Sequence, residues 1–203
     1  NHNPEYTSLE YYQAYSDMFD MMDLTENLIQ YVALETGEVK FEYNSNKIDL
    51  TIPFQKESMF SLLGEYAQED LSEMDEKELV KFAKSKSLDL ENDMNYGKVL
   101  DKKFGEIVEP NLIDPIFVTD YPKAISPLAM EDRNGNSNIV ERFELFIAGM
   151  EFANAFSELN DPLDQRERFE EQERLRLQFS EDELDRLDED FLIAIEHGMP
   201  PTG

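Results

Sequence analysis

Apolar residues crowd most densely between residues 140 and 156, where two strand-like runs rich in Val, Ile, Leu and Phe meet at Ala148-Gly149. A two-residue turn there would pair Ile147 with Met150, Phe146 with Glu151 and Glu144 with Ala153 in an antiparallel hairpin. Elsewhere the pattern alternates between periods of two and of about 3.6. Residues 5–15 alternate as a strand, with Tyr6, Glu10 and Tyr12 on one face and Thr7, Leu9 and Tyr11 on the other. From Ser16, a candidate N-cap, Met18, Met21, Met22, Leu28, Ile29 and Val32 recur at helical spacing until Gly37 stops the pattern. Residues 39–43 and 48–52 flank Asn44-Ser45-Asn46 as a small hairpin. Three helical patterns follow, at residues 59–66, at 77–86 with Asp75 and Glu78 as a capping box, and at 98–108, which Pro110 ends. The polar stretch 68–75 links the first two. Residues 116–118 read as a short buried strand and 123–138 as a long loop. A charged helix at 166–179, read as a solvated arm with Asp164/Arg168 and Glu170/Arg174 pairs, precedes a last helix at 189–197, capped by Asp188 and stopped by Gly198.

Composition narrows this to one domain with a sizeable core: 203 residues, 40% hydrophobic, with 14 Phe and 9 Tyr. No apolar run is long enough to span a membrane, and no secretory signal is visible, so a cytoplasmic location is expected. Cysteine is absent, which excludes disulfides and thiolate metal sites. Forty-six acidic residues against 18 basic ones give a formal charge of −28, which repels phosphate backbones and makes non-specific binding to DNA unfavourable.

Candidate chemistry starts from Glu144 and Glu151, because carboxylates inside apolar strand sequence are costly unless something cationic sits against them. In the hairpin they share a face on a diagonal of roughly 7–8 Å. That spacing suits a Mg²⁺ ion carrying a substrate's phosphates. An exposed hairpin with solvated glutamates is the other reading of the same spacing.

Three runs together resemble the catalytic domain of class II lysyl-tRNA synthetases: HNPEYTSLE at residues 2–10, ERFELFIAGMEFANAFSELND at 141–161 with its continuation to 172, and EHGMPPTG at 196–203. Pro122 and Ser126-Pro127-Leu128-Ala129 match the family's pattern and order as well. The resemblance implies an α+β fold, an antiparallel sheet flanked by helices. It also implies ATP-dependent activation of lysine to lysyl-adenylate and transfer to tRNA(Lys), with Mg²⁺ as cofactor and a homodimeric parent enzyme.

By that resemblance Glu144 and Glu151 bind Mg²⁺ and the ATP phosphates, while His2 and Asn3 approach ATP and Tyr6 stacks on adenine. Glu10, Tyr12 and Glu158 meet the lysine side chain, and Asn154 and Phe156 line its pocket. A desolvated ammonium selects such carboxylates and hydroxyls. Ala153 and Ala155 stand where many bacterial members have glycine, and Tyr6 where phenylalanine is commoner. The family pattern places an arginine-x-glutamate pair just before Asn1 and an ATP-binding arginine just after Gly203, with the dimer-forming motif and an anticodon-binding β-barrel further upstream. Residues 1–203 are therefore expected to be one partial catalytic domain, truncated at both ends and inactive alone. Two other readings stay open: a synthetase-like enzyme that lysylates a translation elongation factor, and a non-catalytic acidic cation-binding module.

Two geometric expectations follow. Tyr6, Glu10 and Tyr12 should share a side facing Glu151, Asn154 and Glu158. Since Glu151 is odd in register while Asn154 and Glu158 are even, a bulge at Phe152-Ala153 must bring them to one pocket.

Overall fold

The computed structural model describes residues 5–68, 77–78, 81–82, 96–179 and 187–203. The first helix, α1 (Met18–Thr36), is capped by Asp17 rather than Ser16: the Asp17 carboxylate accepts the N–H groups of Phe19 and Asp20, and Asp20 returns a bond to the Asp17 N–H. Ser16 is buried instead. Gly37, at φ 78°, terminates the helix in the left-handed conformation. The inner face carries Met18, Met21, Met22, Thr25 and Ala33, whereas Val32 is half exposed.

Strands β1 (Lys40–Tyr43) and β2 (Asn46–Asp49) form the expected hairpin, with a two-residue turn in which Asn44 and Ser45 both have positive φ. The main sheet has the order β3 (Gln55–Ser58), β4 (Ile116–Pro122), β5 (Ile139–Ile147), β6 (Met150–Phe156). It is not wholly antiparallel. The polar edge strand β3, which shows no alternation to betray it, pairs parallel with β4. The crossover between them carries α2 (Met59–Ala67) and α3 (Tyr96–Ile107), as a parallel pair requires. The helical pattern at 77–86 is helical at 77–78 and 81–82; its remainder, Asp75 included, lies outside the described residues.

Alternation along β4 and β5 divides the core. Ile116, Val118, Tyr121, Val140 and Phe146 face α2 and α3, meeting Leu63, Leu100 and Phe104. Phe117, Phe143, Leu145 and Ile147 face α1 and the β1–β2 hairpin, meeting Met21, Met22 and Ile48. Strand β5 is thus covered on both faces, which explains its nearly unbroken apolar run. Phe117 and Phe143 meet edge to face at 5.0 Å.

Residues 5–13 do not form a strand. Only Ala14 makes a β-bridge, to Thr202, flanked by the Gln13–Gly203 bonds and the Tyr15 N–H to Pro201 carbonyl bond. Alternation favours an extended chain, but a strand also needs a partner for its backbone groups, and none of the described strands pairs with it.

The expected solvated arm is a docked helix. α4 (Pro162–Phe179) begins four residues earlier than its pattern suggests, with Asp161 accepting the N–H of Leu163. Its inner face buries Gln165, Arg168 and Phe169. Arg168 pairs with Asp164 and donates to the Ala129 carbonyl at 2.6 Å. Arg174 pairs with Glu171 rather than Glu170. α5 (Glu189–Glu196) packs on α4 through the Phe169–Phe191 rings and a two-pronged Arg166–Glu189 contact. The 123–138 loop is held by a bridge from Ala129 to Glu158 and another from Glu131 to Val140. Among the described residues no helix is long and apolar enough to cross a membrane.

Candidate active site

The central hairpin turns at Ala148-Gly149, both at positive φ (54° and 72°). Their N–H groups bind the carbonyls of Ile113 and Leu112 at 2.9 and 2.8 Å, fixing the turn to the segment before β4. The register starts as expected, Ile147 opposite Met150 and Phe146 opposite Glu151. It then shifts by one. Leu145 faces Ala153 and Glu144 faces Asn154, so Phe152 is the extra residue of a bulge, as the parity argument required, and Glu144 is not opposite Ala153. Glu144, Glu151 and Asn154 consequently share the sheet face that meets α3.

Glu144 is buried among polar neighbours. Tyr121 donates its hydroxyl to Oε2 at 2.8 Å, Arg142 Nη2 approaches Oε1 at 2.5 Å, and Asn154 Nδ2 lies 3.4 Å from the same oxygen. Arg142 also contacts Asn154 Oδ1, Ser126 Oγ and the Ile125 carbonyl, and stacks over the Tyr121 ring at 4.7 Å. Burial pushes the Glu144 carboxyl up to about 6; Arg142 opposes this and Glu151 adds to it. Burial and the Glu144 charge push the Tyr121 phenol up as well, so it stays a donor.

Arg142 thus supplies part of the positive charge that sequence reasoning assigned to a metal. The signal was available: a cation two positions before a carboxylate in a strand stands on the same face. Glu151 is exposed, and with Asp101 it raises the carboxyl of half-buried Glu109, for which burial is the larger cause. Among the described residues no group of three or more His, Asp or Glu side chains is placed to hold a metal ion.

A cavity of about 200 Å³ opens beside this network, on the free edge of β6. Glu10, Tyr12, Asn154, Phe156 and Glu158 all line it. Met21 and Thr25 of α1 form another wall, where the Tyr11 hydroxyl meets Thr25 Oγ1 at 2.8 Å; the sequence singled out Met21 by its helical spacing but not Thr25. Burial pushes the Glu158 carboxyl up to about 7, and no positive side chain among the described residues opposes that shift. Tyr6 and Glu151 do not line the cavity; Tyr6 is 85% exposed. His2 and Asn3 lie outside the described residues.

The sheet floor thus has a bulged last strand, a carboxylate–arginine–tyrosine network on one face and an acidic cavity at the edge. The whole chain, residues 1–203, matches the family described as tRNA synthetases class II (D, K and N), and it belongs to that family. Among its curated relatives, the lysine–tRNA ligase of a Thermoanaerobacter species is 48% identical over 204 residues, covering all of this chain and 40% of the relative. The lysine–tRNA ligase of Thermosynechococcus vestitus is 49% identical over 205 residues, with 100% and 40% covered, and that of Christiangramia forsetii 46% over 202, with 99% and 35% covered. The chain therefore spans roughly two fifths of the length of the curated relatives it matches.

Proposed function

We propose that residues 1–203 are part of the catalytic domain of a lysine–tRNA ligase and supply its lysine pocket and one side of its ATP site. The observation that carries this reading is the Glu158 carboxylate in the cavity, with Glu10 and Tyr12 also lining it and no cation among the described residues to match it. A lysine ammonium completes that set. An uncharged competitor leaves the carboxylates desolvated and unpaired, which is a strong form of discrimination.

In the activation step an oxygen of the lysine carboxylate attacks the α-phosphorus of ATP and pyrophosphate leaves. No side-chain nucleophile is needed; the work is orientation and charge neutralisation. Asn154, held between Arg142 and Glu144, presents its amide at the cavity edge, next to the position of the reacting carboxylate. Glu144 and Glu151 fit a Mg²⁺ ion that arrives with the nucleotide better than a resident one. They offer two carboxylates on one face of the sheet, and oxygen ligands of that kind would suit Mg²⁺. When bound, that ion neutralises charge on the phosphates. The whole protein is then a cytoplasmic homodimer that passes lysine to tRNA(Lys), with further ATP contacts and the tRNA-binding parts outside this stretch.

The test is amino-acid-dependent ATP–pyrophosphate exchange by the full-length protein that carries this chain. Lysine should support exchange and Glu158→Ala should abolish it. Exchange driven by aspartate or asparagine but not lysine would overturn the assignment.

A further inference from the structure

Away from the residues assigned to ligands, one polar joint, buried at Glu141 and Ser157 and exposed at Arg133, connects the two walls of the cavity. Glu141 on β5 is only 3% exposed. Its carboxylate accepts from Arg133 Nε at 2.5 Å and Nη2 at 2.8 Å, and from Ser157 Oγ at 2.6 Å. Burial pushes this carboxyl up, but the hydrogen bonds from Arg133 and Ser157, with the Arg133 charge, hold it below its ordinary value, so it stays ionised.

The joint extends to α1 by two routes. Ser157 Oγ accepts the Met18 N–H at 2.9 Å, and Arg133 Nη2 reaches the capping Asp17 carboxylate at 2.7 Å with its guanidinium over the Phe19 ring.

Both cavity walls hang from it. Glu158 directly follows Ser157, and its N–H is fixed to the Thr202 carbonyl at 2.8 Å. Met21 and Thr25 stand one and two turns along α1 from Met18. Gly203 closes against the same place: a Cβ there would lie 2.7 Å from the Asp17 carbonyl oxygen, so the approach requires glycine.

We propose that Arg133, Glu141 and Ser157 are positioning residues that set the distance between α1 and Glu158, and with it the length of amino-acid side chain the cavity accepts. This rests on the reading of the cavity as an amino-acid site. None of the three lines the cavity, so the effect passes through the backbone. A misplacement of about 1 Å costs on the order of 10²-fold in rate, and one methylene in a pocket is discriminated by about 10- to 200-fold. The joint should therefore be felt first in specificity.

The experiment uses Ser157→Ala and Arg133→Lys in the full-length protein. It follows ATP–pyrophosphate exchange with lysine and with ornithine, one methylene shorter, together with Tm. Ser157→Ala should raise the KM for lysine about tenfold or more, narrow the preference for lysine over ornithine and leave the KM for ATP unchanged. Arg133→Lys keeps a charge on Glu141 without the two-pronged contact and should fall in between. A lower Tm with lysine KM and the lysine/ornithine ratio unaltered would reduce the joint to ordinary structural support and overturn the proposal.

If a different amino acid drives exchange, the lysine reading fails, and positioning is judged on that amino acid and its shorter homologue. If none does, the reading of the cavity as an amino-acid site fails and the positioning proposal falls with it.

Discussion

Strand β5 and residues 5–13 both read as extended chain in sequence, yet one is the buried centre of a ladder and the other an exposed extended segment. The difference lies in what each side chain and backbone group meets. In β5, Phe143, Leu145 and Phe146 are at most 1% exposed and the backbone pairs on both edges, whereas Tyr6 and Tyr12 are 85% and 72% exposed. Alternation tells which residues share a face; it does not tell whether a partner is present. The β5–β6 hairpin, through β6, and residues 5–13 line the same cavity, so the candidate site joins a rigid half to a half that its surroundings barely fix.

The widest separation between the halves should appear in activity. Exchange by the isolated 203-residue chain should fall at least about 10⁴-fold below that of the full-length protein, because the family pattern puts two ATP-binding arginines outside this stretch and each such group is worth about 10²–10³-fold. Lysine-dependent exchange at a comparable rate in the two preparations would show that the exposed half is already competent.

In stability the contrast should reverse. Phe143→Ala removes a ring packed against Phe117 and should cost about 3–5 kcal/mol. Tyr6→Ala should stay within about 0.5 kcal/mol. Denaturant titration of both variants checks the pair. Similar losses would mean that residues 5–13 are held by contacts absent from this structure.

What could be read from sequence divides along the same line. The hairpin turn and the face shared by Glu144 and Glu151 were legible from side-chain parity across a two-residue turn, whereas the bulge at Phe152 was expected from the family pocket that joins Glu151 to Asn154 and Glu158, and Glu151 stays outside the cavity. The convergence of Glu10, Tyr12, Asn154, Phe156 and Glu158 on one cavity was expected only through family resemblance, since no local pattern links residue 10 to residue 158. Three features escaped. Strand β3 is four polar residues without alternation, α4 hides a buried face behind charges that pair with each other, and Thr25 looks like any polar helical residue until Tyr11 is placed against it.

The last contrast concerns protons in the cavity. Glu158 has a folded pKa of about 7 against an ordinary 4.5, so the folded state holds this proton more tightly than the unfolded chain. Its contribution to stability is therefore fully present below pH 4.5, declines as the pH rises toward 7, and is constant above. Glu158→Gln should remove that decline, making the variant the more stable protein at pH 8 and leaving the two alike near pH 4. Ligand binding runs the other way. A lysine ammonium pairs with the ionised carboxylate and expels the proton, so lysine affinity should climb by up to about tenfold per pH unit below 7 and level off above it. Calorimetry across pH 5.5–8.5 in buffers of different ionisation enthalpy would count the released proton. A flat affinity with no proton released would place the ammonium elsewhere, beside Glu10, and would shift the selectivity of the site from the buried wall to the exposed one.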